Sequence, residues 1–151
     1  MKPFIVLIIV FALSVLTIKL IANKYEFSLA ANIAMCVMLA FTSIGHFKFT
    51  NGMRMMIPRF IPFKTELVYL TGVLEVLSGI GLLIPEISIW SARVLILFFI
   101  CLLPANINAA IKHIDYEKAN YNGKGISYLW FRIPLQIVFI VWTFMGAIKI
   151  W

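Results

Sequence analysis

The sequence predicts an all-α membrane protein, a bundle of five transmembrane helices forming a single membrane domain over residues 1–151. Three observations carry this. The chain is 63% hydrophobic and only 13% charged, against about 45–50% and about 25% in ordinary soluble domains. Five apolar stretches, Pro3–Ala22, Ser28–Phe47, Glu66–Ile84, Ser88–Ile111 and Leu129–Ile150, each reach the roughly 20 residues needed to cross the hydrocarbon core. The connections are short, so nothing remains to build a soluble domain.

The first stretch is read as a retained helix. Its apolar run is long, Lys19 lies near its end, and no small-residue cleavage pattern follows Ala22. The connections of a few residues after the first and third spans require antiparallel neighbours, hence an up-down bundle.

Net charge is +7, which in a soluble protein would suggest nucleic acid. In a membrane protein, basic residues gather in cytoplasmic loops. Assigned to alternate sides, nine of the Lys and Arg residues fall with Lys2, Lys48–Lys64 and Lys112–Arg132, and four (Lys19, Lys24, Arg93, Lys149) fall opposite. The nine mark the cytoplasmic side, with the N-terminus inside, as expected in a bacterial plasma (inner) membrane. No nucleic-acid partner is expected.

Two loops hold most of the irregular sequence. In residues 48–64, Pro58 and Pro62 forbid one continuous helix. Its methionines and phenylalanines alternate with Arg54, Arg59 and Lys64, so it lies in the interface, tucks under the bundle, or packs on the helix ends. In the polar loop 112–128, Gly123 and Gly125 mark turns, and Tyr116, Tyr121, Tyr128 and Trp130 fit an interfacial aromatic belt.

Polar residues within the spans are costly in lipid and point to function. Of six acidic residues, Glu75 alone lies inside a span, about 13 Å deep at 1.5 Å per residue. Gly72, Glu75 and Gly79 share one helical face, with Tyr69 a turn earlier, so Glu75 faces protein. It is either a ligand, ion or proton site or a neutral structural acid. Asn106 and Asn108 follow Pro104, which should kink its helix and free a backbone carbonyl. Gln136 stands beside Pro134 and one turn beyond Arg132, which either snorkels or turns inward as a counter-ion. With His46, these groups are expected to form a ladder from the inner surface towards Glu75.

The two cysteines, Cys36 and Cys101, are expected to be buried and free, since no C-x-x-C pair exists. His46 and His113 stand at unrelated spacing, so no metal or haem is expected. No phosphate loop or nucleophilic triad is visible, and no residue is assigned a catalytic role.

Taken together, Gly45-His46-Phe47, Met56-Ile57-Pro58, Leu67 through Glu75, Gly79 through Pro85, Leu103 through Ile107 and Arg132 through Gln136 resemble the DoxX-like family of small membrane proteins. The resemblance runs from Gly45 to Trp142. It implies a four-helix transmembrane bundle to which the first span is an N-terminal addition. It also implies a shared polar core of Tyr69, Glu75, Pro104, Asn106, Arg132 and Gln136. Relatives of that family occur beside a quinol oxidase and in thiosulfate-oxidising systems, and a distant one assists receptor assembly.

Three functions follow as expectations. The first is an accessory protein binding a small lipophilic molecule, lipid or quinone, around Glu75. The ligand residues would be Tyr69, Glu75, Asn106, Arg132, Gln136 and His46, supported by Gly72, Gly79, Pro104 and Pro134. The second is an assembly protein docking on another membrane protein or a second copy. The third is a proton-coupled enzyme or transporter using Glu75. No cofactor is evident, although a quinone would suit the site.

Overall fold

The computed structural model describes residues 2–148. The expected end of the last span at Ile150 and the charge of Lys149 lie outside the described residues. The chain forms α1 (Lys2–Ala22), α2 (Phe27–Lys48), α3 (Thr50–Met56), α4 (Lys64–Leu82), α5 (Ser88–Cys101), α6 (Leu103–Ile111) and α7 (Ile126–Ile148). With α5 and α6 taken as one span, five segments among the described residues are long and apolar enough to cross a membrane.

Four of these spans close a ring. Helix α2 packs on α4, α4 on α5, α5 on α7, and α7 back on α2. Neighbours run antiparallel. At one end Asn32 of α2 reaches the Leu82 carbonyl of α4 (3.1 Å), while Ser28 reaches the Gly146 carbonyl of α7 (2.6 Å). Near the other end, His46 of α2 meets Val68 of α4. Helix α1 packs outside the ring on α2. It inserts Leu7, which is fully buried, and sets Phe11 edge-on to Trp142 of α7 at 5.0 Å.

The core sits on α2, where Ala30, Ala31, Ala34 and Met35 have no exposed surface. The three alanines let neighbouring helices approach α2 closely. Facing them, α4 buries Val68, Gly72, Glu75, Ser78, Gly79 and Leu82. That spacing is one helical stripe. Methyl groups placed on Gly72 and Gly79 would meet His46 Cβ at 2.9 Å and Cys36 Cα at 3.2 Å. The two glycines therefore set the α2–α4 separation, as their spacing predicts.

The expected kink is a break. Helix α5 stops at Cys101, α6 resumes at Leu103, and Pro104 occupies its first turn, where the missing N–H costs least. In α7, Pro134 is accommodated inside the helix.

The loop before α4 is more ordered than expected. Residues 50–56 form α3 because Pro58 and Pro62 both lie beyond them, and Ile57 takes the extended conformation usual before proline (φ −70°, ψ 130°). Asn108 of α6 donates to the Met56 carbonyl (2.7 Å), and Met56 packs with Ala109 and Ile114. The segment is thus tucked beneath the ring. Helix α7 begins three residues earlier than the sequence suggested, so Tyr128 and Trp130 lie in its first turns.

Cys101 departs from expectation: it is exposed on the outer face of its helix, and Cys36 is half-buried. Val94 and Leu97, at helical spacing before it, are exposed on the same face.

Candidate functional site

Two polar sites occur inside the ring where the sequence suggested one. The first lies in the α2–α4 seam. His46 Nε2 stands 3.4 Å from Glu75 Oε1, and both side chains are buried. Thr42 donates to the other carboxylate oxygen, Glu75 Oε2, at 3.0 Å. His46 Nδ1 faces the Val68 carbonyl at 3.0 Å and the Thr71 hydroxyl at 3.1 Å. Thr71 also donates to that carbonyl at 2.8 Å.

These contacts favour one imidazole tautomer. A backbone carbonyl only accepts, so Nδ1 carries its hydrogen, and Nε2 is the atom turned to Glu75. A proton held between Nε2 and the carboxylate would have two places to rest. On histidine it gives an ion pair, and on glutamate a neutral pair. Both arrangements have zero net charge, which is how an acid and a base share a buried place that an isolated charge could not occupy.

Helix geometry explains the meeting. Side chains lean towards the N-terminus of their own helix. In antiparallel helices His46 and Glu75 therefore lean towards each other. The carboxylate sits between the levels of Thr42 and His46, roughly one to two turns inside the end of α2. That is closer to the loop end than its count along α4 suggested.

Thr42 and Thr71 were not singled out in the sequence, although a signal was present. Thr42 precedes His46 by four residues, and Thr71 precedes Glu75 by four, which puts each hydroxyl on the face of its ionisable neighbour.

The second site joins α5, α6 and α7. Asn106 and Gln136 are buried, with Asn106 Nδ2 3.5 Å from Gln136 Oε1. Gln136 Nε2 donates to the Phe99 carbonyl, which also accepts the Leu102 N–H at 3.2 Å where α5 ends. The amide pair therefore serves the break ahead of Pro104. It does not join Glu75.

Of the remaining candidates, Tyr69 is 43% exposed and stacks on Phe47 at 5.7 Å, on the outer edge of the same seam. Arg132 is half-buried and lies over Tyr128, one turn nearer the loop end, at 5.6 Å from ring centroid to guanidinium carbon.

Two clefts open at the loop end. One, about 410 Å³, is bounded by Phe47, Tyr69 and Tyr116 among others; the second is about 380 Å³. Neither is lined by Glu75. Within the first, burial pushes the Tyr116 phenol above its ordinary value, against the charge of Arg132. Among the described residues no three His, Cys, Asp or Glu side chains gather as a metal site.

No curated protein and no solved structure matches the chain. A family model described as Domain of unknown function (DUF8561) matches residues 35–147, which include His46, Glu75, both threonines and the second polar pair, and the chain belongs to that family.

Proposed function

We propose that this protein is a membrane-embedded accessory component that holds the polar head of a small lipophilic molecule, of lipid or quinone class, at the α2–α4 seam. The observation carrying this reading is the buried His46–Glu75 pair at 3.4 Å. It offers a shared proton and a carboxylate to a ligand oxygen, within a segment of membrane-spanning length. Thr42 and Thr71 are only half-buried and add two hydroxyls at the same level. The stacked Phe47 and Tyr69 give a flat aromatic surface at the seam's edge, suited to a ring. Because the pair itself is buried, access requires the seam to open beside these residues.

In this reading the ring of four spans is a DoxX-like core, and α1 is the addition. The excess of basic residues at the α3 end supports a cytoplasmic N-terminus in a bacterial plasma membrane. Apart from Leu7, the described residues of α1 have exposed or half-exposed side chains. That supports a second reading, an assembly protein that docks a membrane partner or another copy. The shared proton supports a third, a proton-coupled enzyme or transporter.

The test is lipid-retaining mass spectrometry of the purified protein, followed by titration with a short-chain quinone. The parent should bind, and Glu75→Gln and His46→Leu should lose binding while remaining helical. Equal binding by all three proteins would remove the pocket from consideration.

A further inference from the structure

The second cleft at the loop end has a chemistry unlike the first. It is lined by Met55, Ile57, Arg59, Lys64, Lys112 and Tyr121, three cations with no acidic residue among them. None of the three cations is in ion-pair contact with a carboxylate among the described residues. Lys64 and Lys112 are half-buried, so both hold charge partly out of water without a counter-ion. Lys64 is also fixed, donating to the Ile57 carbonyl at 3.0 Å, which leaves further N–H groups for a ligand.

Position narrows the ligand. Lys64 opens α4 and Lys112 directly follows α6, so the cleft stands where two spans leave the hydrocarbon. Phe60 and Phe63 flank Arg59 and Lys64 and are 83% and 76% exposed. Exposed aromatic side chains beside basic ones are what an interfacial segment presents to a bilayer. Met55 and Ile57 add apolar lining to the basic cleft, suiting a ligand whose phosphate continues into a chain.

We infer that this cleft binds the phosphate of an anionic phospholipid headgroup, with Arg59, Lys64 and Lys112 as its cationic ligands and Tyr121 as an additional hydroxyl. The site is separate from the His46–Glu75 seam and does not depend on it. It fastens the α3 segment and the loop after α6 to the same lipid.

The probes are phosphatidylglycerol and phosphatidylcholine, presented in equal amounts to the purified protein, with the retained lipid counted by mass spectrometry. The parent should retain phosphatidylglycerol preferentially. A basic residue near an anionic surface contributes about a fivefold preference, so Arg59→Gln with Lys112→Gln should lower it by about 25-fold. Lys64 is left in place to keep the loop anchored. Arg59→Gln alone, at an exposed position, should lower it by about fivefold and covers the case in which the double variant fails to fold. Arg54→Gln with Lys124→Gln removes the same charge outside both clefts and should change it little. A double variant that keeps the parent's preference, or a control that loses as much, would overturn the site. Inorganic phosphate should not stabilise the protein against heat in phosphatidylcholine. Stabilisation equal to that from phosphatidylglycerol would assign the cleft to a soluble phosphate and overturn the lipid.

Discussion

His46 and Glu75 face each other across 3.4 Å, although one lies two residues from the end of its helix and the other eleven residues into its own. Helix α4 starts below the end of α2, and the two side chains lean towards each other. The pair thus depends on the register of two helices, which Gly72 and Gly79 maintain.

Substitutions at Glu75 separate its bonds from its charge. Glu75→Gln keeps an acceptor for Thr42 and offers an N–H to His46 Nε2, so stability should fall by less than about 1 kcal/mol. Glu75→Leu leaves His46 Nε2 buried without a partner and should cost about 1–3 kcal/mol. Thermal unfolding of both beside the parent tests this. A leucine variant as stable as the parent would show that the contact contributes nothing.

Two glycine substitutions should act in opposite directions. Gly72→Ala drives a methyl group against the Cβ of His46 at 2.9 Å. Moving that atom means moving α2, so a loss of about 1–3 kcal/mol is expected. At Gly45 an added methyl would meet only Met53 and Phe49 side chains, at 3.4 and 3.9 Å. Gly45→Ala should be neutral or gain up to about 1 kcal/mol from helix propensity. Equal melting temperatures for the two variants would contradict the close α2–α4 approach.

Gln136→Leu should destabilise the helix break. It withdraws the side-chain donor from the Phe99 carbonyl and leaves Asn106 without its side-chain acceptor, at a cost of about 1–3 kcal/mol. Quinone or lipid retention at the α2–α4 seam should be unchanged. Loss of retention without loss of stability would reunite the two polar sites functionally.

Orientation is tested by labelling. With Cys36 and Cys101 replaced by serine, single cysteines at Arg59 and Lys118 should resist impermeant thiol reagents in intact cells and react after lysis. Reaction at both positions in intact cells would reverse the topology.

Removal of residues 1–23 tests the place of α1. The ring of α2, α4, α5 and α7 is closed without it, so the shortened protein should keep its helical content. Its melting temperature should fall, because Leu7 no longer fills the core. Collapse to an aggregated species in detergent would make α1 integral to the bundle.

The spans were legible because length and apolar composition alone decide them; four starts fall within about two residues of their expected positions. Helix α3 was not legible. Its prolines announced irregularity, but both lie after it, and Met56 is held by Asn108 of a distant helix. Within the site, the inward face of Glu75 followed from the spacing of Gly72 and Gly79. Its partner did not. Pairing His46 with Glu75 requires the vertical offset between two helices, which no local pattern encodes. For the same reason Asn106 and Gln136 were grouped with Glu75 by depth, when the ring sets them in a different seam. Tyr69, one turn from Gly72, lies at the stripe's edge and turns out to stack on Phe47.

A proton shared by His46 and Glu75, as the proposed function requires, has an electrical consequence. A membrane potential does work on charge in proportion to how far across the bilayer it moves, about 2.3 kcal/mol per elementary charge per 100 mV for a full crossing. If, as the proposed function has it, one proton bridges His46 and Glu75, its passage between two atoms 3.4 Å apart moves charge through only a small part of the roughly 30 Å hydrocarbon core. Voltage therefore has little hold on the closed pair. Once a ligand takes that proton, the seam carries a full negative charge and becomes subject to the field.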